Sequence, residues 1–141
     1  MWSEKYVTGI AELDEQHKDV ITAIENLDRN VESNASDTSI ATALTELLEE
    51  LDKHFQVEER YMVDLKLPDL PAHKKEHDEF LTLVNEQLNA HRSRQHRFDA
   101  AYMGVISDWM INHFEGMDAQ LSLSVMNSTL QDGNVDEKIQ D

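Results

Sequence analysis

Apolar residues recur every three or four positions along most of this chain, and that spacing places side chains on one face of an α-helix. Four stripes of this kind run over residues 10–31, 44–65, 70–88 and 102–117, and the inward positions of the last are predicted to be Tyr102, Val105, Ile106, Trp109, His113 and Met117. The connections between the stripes are short, so consecutive helices are expected to lie antiparallel and side by side. The pattern therefore predicts an all-α fold, an up-down-up-down four-helix bundle.

Turn-forming residues separate the stripes and predict where the helices begin. Ser36 or Asp37, in the stretch SNASDTS, is expected to cap the second helix with its side-chain oxygen. The two prolines of LKLPDLP predict that the third helix begins near Asp69 to Pro71, because proline fits the first turn of a helix but not its interior. The fourth helix is expected to open around Phe98 and Asp99.

The two ends of the chain are expected to differ from its middle. The residues before the first stripe predict an N-terminal extended arm, and the polar, weakly periodic final segment predicts a frayed or disordered tail. We accordingly divide the chain into a bundle over residues 1–121 and a polar C-terminal extension over residues 122–141.

Composition narrows the classes of function. With 29 acidic and 12 basic residues the formal net charge is -17, which disfavours nucleic acid and anionic membranes as partners. The same charge favours a soluble monomer, with docking to a basic protein partner as the alternative, and HRSRQHR at 91–97 is interpreted as a basic loop. The absence of cysteine excludes disulfides, thiolate metal sites and iron–sulfur clusters. No signal peptide and no apolar run of about 20 residues can be read, so a cytoplasmic protein is expected.

Histidine and one glutamate occupy positions of the stripes that should be apolar. A single histidine at such a position is usually a hydrogen-bonded core residue, and His91 is interpreted in this way, while Asp14 is read as an exposed acid. The interpretation changes where two ligand-type residues lie four positions apart, since such neighbours on one helix face can converge on one metal ion. The residues that form this pattern across the four helices are His17, His54, Glu58, His73, His77 and His113.

With Asp118, these residues offer more donors than one metal ion can hold. Two octahedral ions provide about twelve coordination positions. Five imidazoles, two carboxylates and a solvent-derived oxo or hydroxo bridge leave about one position open, provided that both carboxylates bridge the ions. A site rich in imidazole and free of thiolate suits iron, zinc, copper or nickel. The residues alone therefore predict a two-metal site with room for a small ligand.

In the stretch NHFEGMD at 112–118, two candidate ligands, His113 and Asp118, are separated by an interval that does not suit an α-helix. On an α-helix a residue at i+4 lies about 40° around the axis from residue i, whereas a residue at i+5 lies about 140° around. Asp118 is five positions after His113. A carboxylate that spans two ions need not point where the histidine points. We also expect Gly116 to let the turn adjust, and the backbone of residues 114–118 tests this expectation.

The chain resembles the hemerythrins, and specifically the single-domain bacterial type known as bacteriohemerythrin. The residues that carry the resemblance are W-x3-Y-V-x-G-I-x2-L-D-E-Q-H at 2–17, H-F-x2-E-E at 54–59, P-x4-H-K-K-E-H at 68–77 and W-x3-H-x4-D at 109–118. The chain departs from the usual family pattern at Met110, where the family often has leucine lining the oxygen pocket.

The resemblance implies a non-haem di-iron centre with an oxo or hydroxo bridge that binds dioxygen reversibly, for storage, delivery or sensing. It implies that one iron is held by His73, His77 and His113, the other by His17 and His54, and that Glu58 and Asp118 bridge them. Two alternatives stay open: a di-iron enzyme acting on peroxide or nitric oxide, and a sensor or interaction module whose metal is only structural. No acid–base residue near the site is visible in the sequence, so a protein that is not an enzyme is expected.

Overall fold

The computed structural model describes residues 7–121, 123, 124 and 127, with only the backbone at positions 117 and 118. Its elements are four α-helices, α1 (Ala11–Glu32), α2 (Asp37–Asp64), α3 (Leu70–Arg92) and α4 (Ala100–His113), followed by a π-helical turn (Phe114–Asp118). Helix α1 packs against α2 and α4, and α2 also packs against α3. The predicted all-α four-helix bundle is confirmed.

The core lies where the apolar stripes of the helices meet. Most of the apolar positions predicted for α1, α2 and α3 are buried, because a helix with one apolar face is stable in water only when that face is covered. Among the most deeply buried side chains are Leu13, Ile21, Ile24, Leu27, Ile40, Leu44, Leu47, Leu51, Phe55 and Phe80.

Local capping interactions determine where the helices begin. The Ser36 side chain accepts a hydrogen bond from the backbone N–H of Ser39 at 3.1 Å, which identifies Ser36 as the cap of α2. The Asp99 carboxylate accepts from the N–H groups of Ala101 and Tyr102 at 3.1 and 3.2 Å and caps α4. Helix α3 begins at Leu70 with proline in its first turn. The predicted starts of these three helices are confirmed.

The inward face of α4 differs from the predicted stripe. Met103, Ile106, Met110 and His113 are buried, whereas Val105, which the stripe included, is 50% exposed. The buried positions follow the spacing of three and four residues that leads to His113, so this histidine and its apolar neighbours share one face. The assignment of Val105 to the core was therefore wrong.

The described part of the N-terminal arm is attached to α1 by Asp14. Its carboxylate accepts hydrogen bonds from the backbone N–H of Thr8 at 2.6 Å, from the Thr8 hydroxyl at 2.8 Å and from the N–H of Gly9 at 3.2 Å. Gly9 has φ of 83°, a left-handed conformation that glycine adopts without strain. Asp14 is thus a half-buried anchor of the arm, and the reading of it as a solvent-exposed acid was wrong.

The predicted C-terminal extension, residues 122–141, lies outside the described residues except for 123, 124 and 127, which are helical. The division of the chain at residue 121 stays a prediction. Among the described residues, no helix combines the length and the apolar character that crossing a bilayer requires.

Candidate metal centre

The predicted ligand residues with described side chains all point into the bundle. Helix α1 contributes one histidine, α2 a histidine and a glutamate one turn apart, α3 two histidines one turn apart, and α4 its last residue. Their exposed fractions are no more than 4%: His17 1%, His54 0%, Glu58 1%, His73 4%, His77 0% and His113 1%. Burying so many polar groups together is costly unless they bind one another or an ion.

Two groups of possible metal ligands form within this set, and they share one residue. His17, His54 and Glu58 form the first group. Glu58, His77 and His113 form the second, and within each group the ligand atoms lie within 4.8 Å of one another. Because a carboxylate has two oxygen atoms, a residue common to both groups can contact two ions at once.

Two predicted ligands are not members of either group. The ring of His73 lies 6.2 Å from that of His77 and parallel to it, one turn earlier on α3. The side chain of Asp118 lies outside the described part of the structure, so its predicted bridging role stays a prediction.

Three histidines from three helices present the same ring nitrogen to Glu58. The Nε2 atoms of His54 and His113 are hydrogen-bonded to Glu58 Oε1, the second at 3.2 Å. The Nε2 atom of His77 lies 3.6 Å from Glu58 Oε2. The carboxylate is therefore at the point where α2, α3 and α4 converge.

The charge state of Glu58 follows from these neighbours. Burial disfavours the charged form and acts to raise the pKa of Glu58, but the attraction and hydrogen bonds of His54 and His113 outweigh it and hold that pKa well below its usual range. The carboxylate is thus ionised at neutral pH in an interior without bulk water. The carboxylate is the form of Glu58 that can bind a metal cation, and a cation here would offset its buried negative charge.

His77 provides a second observation that fits a metal ion. Its Nδ1–H donates to Glu59 Oε2 at 3.0 Å, so a neutral ring carries no proton on Nε2. That Nε2 atom is buried, and among the described residues it has no hydrogen-bond partner. An unprotonated imidazole nitrogen beside a carboxylate is a suitable donor for a divalent transition metal.

Aromatic side chains pack against the imidazole rings and restrict their orientation. Phe55 stacks on His77 with ring centroids 4.0 Å apart, and Trp109 stacks on His113 at 4.9 Å. The ring of Phe114 lies 4.7 Å from that of His17. The apolar stripes predicted that Phe55 and Trp109 are core residues and made no assignment for Phe114. Helical periodicity does not show which aromatic ring contacts which histidine.

The π-helical turn explains the five-residue interval between His113 and Asp118. In a π-helix the backbone bonds residue i to residue i+5, so i+5 takes the place that i+4 has in an α-helix. The turn covers Phe114–Asp118 and includes Gly116. The backbone at position 118 therefore comes about one helical turn after His113, which reduces the angular offset that an α-helix would impose.

The remaining histidines are separate from this cluster. His91 is buried, but both of its ring nitrogens are bonded to the backbone: Nε2–H donates to the Asp37 carbonyl at 2.8 Å, and Nδ1 accepts from the Phe98 N–H at 3.1 Å. His96 is exposed in the loop that follows α3. The interpretation of His91 as a hydrogen-bonded core residue is confirmed.

Comparison with known proteins agrees with this arrangement. The family described as "Hemerythrin HHE cation binding domain" matches residues 8–122. The chain belongs to the hemerythrin family. This match confirms the family resemblance found in the sequence. The words "cation binding" in the family description agree with the buried cluster of histidines.

Several named hemerythrins are similar to this chain over most of their length. The "Hemerythrin-like protein" of Naegleria gruberi is 32% identical over 117 residues, which are 83% of this chain and 86% of the relative. The "Bacteriohemerythrin" of Pseudomonas paraeruginosa is 31% identical over 119 residues, 84% of this chain and 76% of the relative. The "Myohemerythrin" of Sipunculus nudus is 30% identical over 118 residues, 84% and 87% respectively.

The fold is shared with a solved wild-type hemerythrin. That crystal structure has a TM-score of 0.81, covers 88% of this chain and 95% of its own, and is 22% identical in sequence. At this level of identity the likeness concerns the four-helix fold.

Proposed function

We propose that this chain is a non-haem di-iron protein that binds dioxygen reversibly, for storage, delivery or sensing. The observation that carries the proposal is the pair of buried ligand groups that share Glu58. Two groups with one common carboxylate suit two neighbouring metal ions better than one. Membership of the hemerythrin family supports iron as the metal and dioxygen as the ligand.

The proposed ligands divide between the two ions as the family pattern implies. His73, His77 and His113 would hold one iron, and His17 and His54 would hold the other. Glu58 and Asp118 would supply carboxylate oxygens to both. The two ligand groups support this division, because His17 and His54 fall in one and His77 and His113 in the other.

Iron bound here would supply the electrons and a coordination position for dioxygen. The chain supplies buried side chains around it. Because the proposal gives two histidines, His17 and His54, to one ion and three to the other, we assign dioxygen to the side of His17 and His54. Phe114, 3% exposed and 4.7 Å from the His17 ring, contributes an apolar wall there that favours a small neutral ligand over ions and water.

The test is an oxygenation cycle on the full chain. The protein is loaded with ferrous iron without air, its visible spectrum is recorded, oxygen is admitted and then removed. We expect about two irons per chain and an absorption band that forms with oxygen and is lost when oxygen is withdrawn. A band that decays to a ferric product while peroxide or nitric oxide is consumed would support the enzyme alternative. Metal that raises stability but yields no band would support a structural role.

His17→Ala tests the assignment of the open position. Removal of this imidazole takes one of only two histidines from that ion, so we expect the oxygen-dependent band to be abolished. His96→Ala is the matched control, because His96 is exposed in the loop after α3. Reversible oxygen binding retained in His17→Ala would refute the assignment.

A further inference from the structure

Glu59 directly follows Glu58 on α2, and its carboxylate lies outside the two ligand groups. One of its oxygens, Oε2, accepts from His77 Nδ1–H at 3.0 Å, while the other, Oε1, lies 3.5 Å from Nζ of Lys74. The side chain is 20% exposed, whereas that of His77 is fully buried. Glu59 thus connects the protein surface to the outer nitrogen of a proposed ligand.

This contact decides which nitrogen of His77 faces the metal centre. An ionised carboxylate can only accept hydrogen bonds, so it selects the ring form that carries its proton on Nδ1. The lone pair of Nε2 is then directed toward Glu58, 3.6 Å from Oε2. The face of the His77 ring is packed by Phe55 at 4.0 Å, so the ring is restrained both in its plane and across it.

His73, one turn earlier on α3, has a different outer partner. Its Nδ1 lies 2.8 Å from the sulfur of Met62, and a thioether is a weak, uncharged acceptor. A carboxylate that accepts a hydrogen bond from the outer N–H increases the electron density of an imidazole and its strength as a donor, whereas a thioether does so weakly. Glu59 therefore gives His77 a charged partner of a kind that Met62 does not give His73.

We propose that Glu59 is a positioning residue that holds His77 in its metal-binding form and, through its negative charge beside the ring, favours the more oxidised state of the metal bound there. The proposal rests on the proposed function for the identity of the metal and for His77 as one of its ligands. Glu59 does not touch the metal; it acts through His77. Lys74 moderates that charge from the solvent side, where it also pairs with Asp78 at 3.6 Å.

The experiment compares three variants in the full chain. Glu59→Gln keeps an oxygen that can accept from His77 but removes the charge, and Glu59→Leu removes both. Glu49→Gln is the matched control, since it makes the same change in net charge at an exposed position on the same helix. Each protein is loaded with ferrous iron without oxygen, and its iron content, its rate of iron loss to a chelator and its midpoint reduction potential are measured.

We expect Glu59→Leu to weaken metal retention about 10- to 100-fold, the usual effect of losing the outer partner of a metal-bound histidine. Glu59→Gln should lose iron at an intermediate rate and should show a higher reduction potential than the wild type, because an anion that favours the ferric state is gone. Glu49→Gln should match the wild type in both measurements. A merely structural role for Glu59 would not move the potential of the glutamine variant.

The inference is overturned if Glu59→Gln and Glu59→Leu both match Glu49→Gln in iron loss and potential. If Glu59→Leu fails to fold, the nearly isosteric Glu59→Gln decides alone. None of these measurements uses oxygen, so a wild type that retains iron but binds no dioxygen refutes the proposed function and leaves this inference standing. If the wild type retains no iron, zinc release is compared in the same variants, and failure to bind zinc as well overturns the inference.

Discussion

Two buried histidines on α3, His77 and His91, show how one residue type serves different purposes at the two ends of this bundle. Both are almost inaccessible to solvent, at 0% and 4% exposed. His91 bonds the backbone through both nitrogens, to the Asp37 carbonyl and the Phe98 N–H. His77 is held through Nδ1 by Glu59, and its Nε2 has no hydrogen-bond partner among the described residues.

The difference lies in the tautomer and in what each ring leaves unused. His91 must carry its proton on Nε2, because its Nδ1 accepts from a backbone N–H, and it has no lone pair left for a metal. His77 carries its proton on Nδ1 and keeps a lone pair on Nε2. Burial alone therefore does not separate the proposed ligand His77 from His91, whereas the partners of the two ring nitrogens do.

The largest effect is expected from a matched pair of substitutions, His77→Leu and His91→Leu. The first removes a proposed ligand, so iron content should fall from about two per chain to about one or less. The second removes no ligand and should leave the iron content unchanged. Iron is measured by elemental analysis after anaerobic loading and desalting. Equal iron loss in the two variants would show that the comparison of ring partners does not identify the ligand.

An intermediate effect is expected on the stability of the metal-free chains. His91→Leu leaves the buried Phe98 N–H without its acceptor, and an unsatisfied buried group costs about 1–3 kcal/mol. His77→Leu removes a buried Nε2 atom that has no hydrogen-bond partner among the described residues, and it leaves Glu59, 20% exposed, accessible to water. It should therefore lower the free energy of unfolding less. Urea denaturation after chelation measures both. A larger loss in His77→Leu than in His91→Leu would contradict the structural role given to His91.

The smallest effect is expected at Arg97, which ties the loop after α3 to the start of α2 beside His91. Its guanidinium donates to Asp37 Oδ1 at 2.9 Å and to the Ala35 carbonyl at 2.5 Å, but its side chain is 45% exposed. Arg97→Gln should therefore cost less than about 1 kcal/mol, and high salt should reduce the difference. Arg94→Gln, an exposed change in the same loop, is the control. If Arg97→Gln lowers the free energy of unfolding as much as His91→Leu does, the ion pair of Arg97, and not His91, is the main connection between this loop and α2.

Periodicity and spacing were sufficient to predict the helices and the histidines and glutamate on their inward faces. The stripes of α1 to α3 and the starts of α2, α3 and α4 could be predicted because they depend on local patterns of side chains and on caps. Val105 was misplaced because two interpretations of the α4 stripe differ by a small rotation, and only packing against the other helices selects one. Asp14 was misread because its partners, Thr8 and Gly9, belong to an arm with no periodic signal.

The sequence raised the question of how Asp118 could share a site with His113, five residues earlier, but did not answer it. An α-helix was the natural expectation, and it separates the two residues by most of a half turn. The π-helical turn at Phe114–Asp118 removes much of that separation in the backbone. Whether Asp118 bridges two ions stays a prediction that a structure with metal bound will test.

The sequence by itself determined an all-α bundle, the family and a set of histidines and carboxylates too numerous for one ion, because these depend on residue identity and spacing along single helices. Only the tertiary structure showed that Glu58 belongs to both ligand groups, that the outer nitrogen of His77 is hydrogen-bonded to Glu59, and that His91 is satisfied by backbone. These depend on contacts between residues far apart in the chain, formed when the helices pack, which no spacing along one helix specifies.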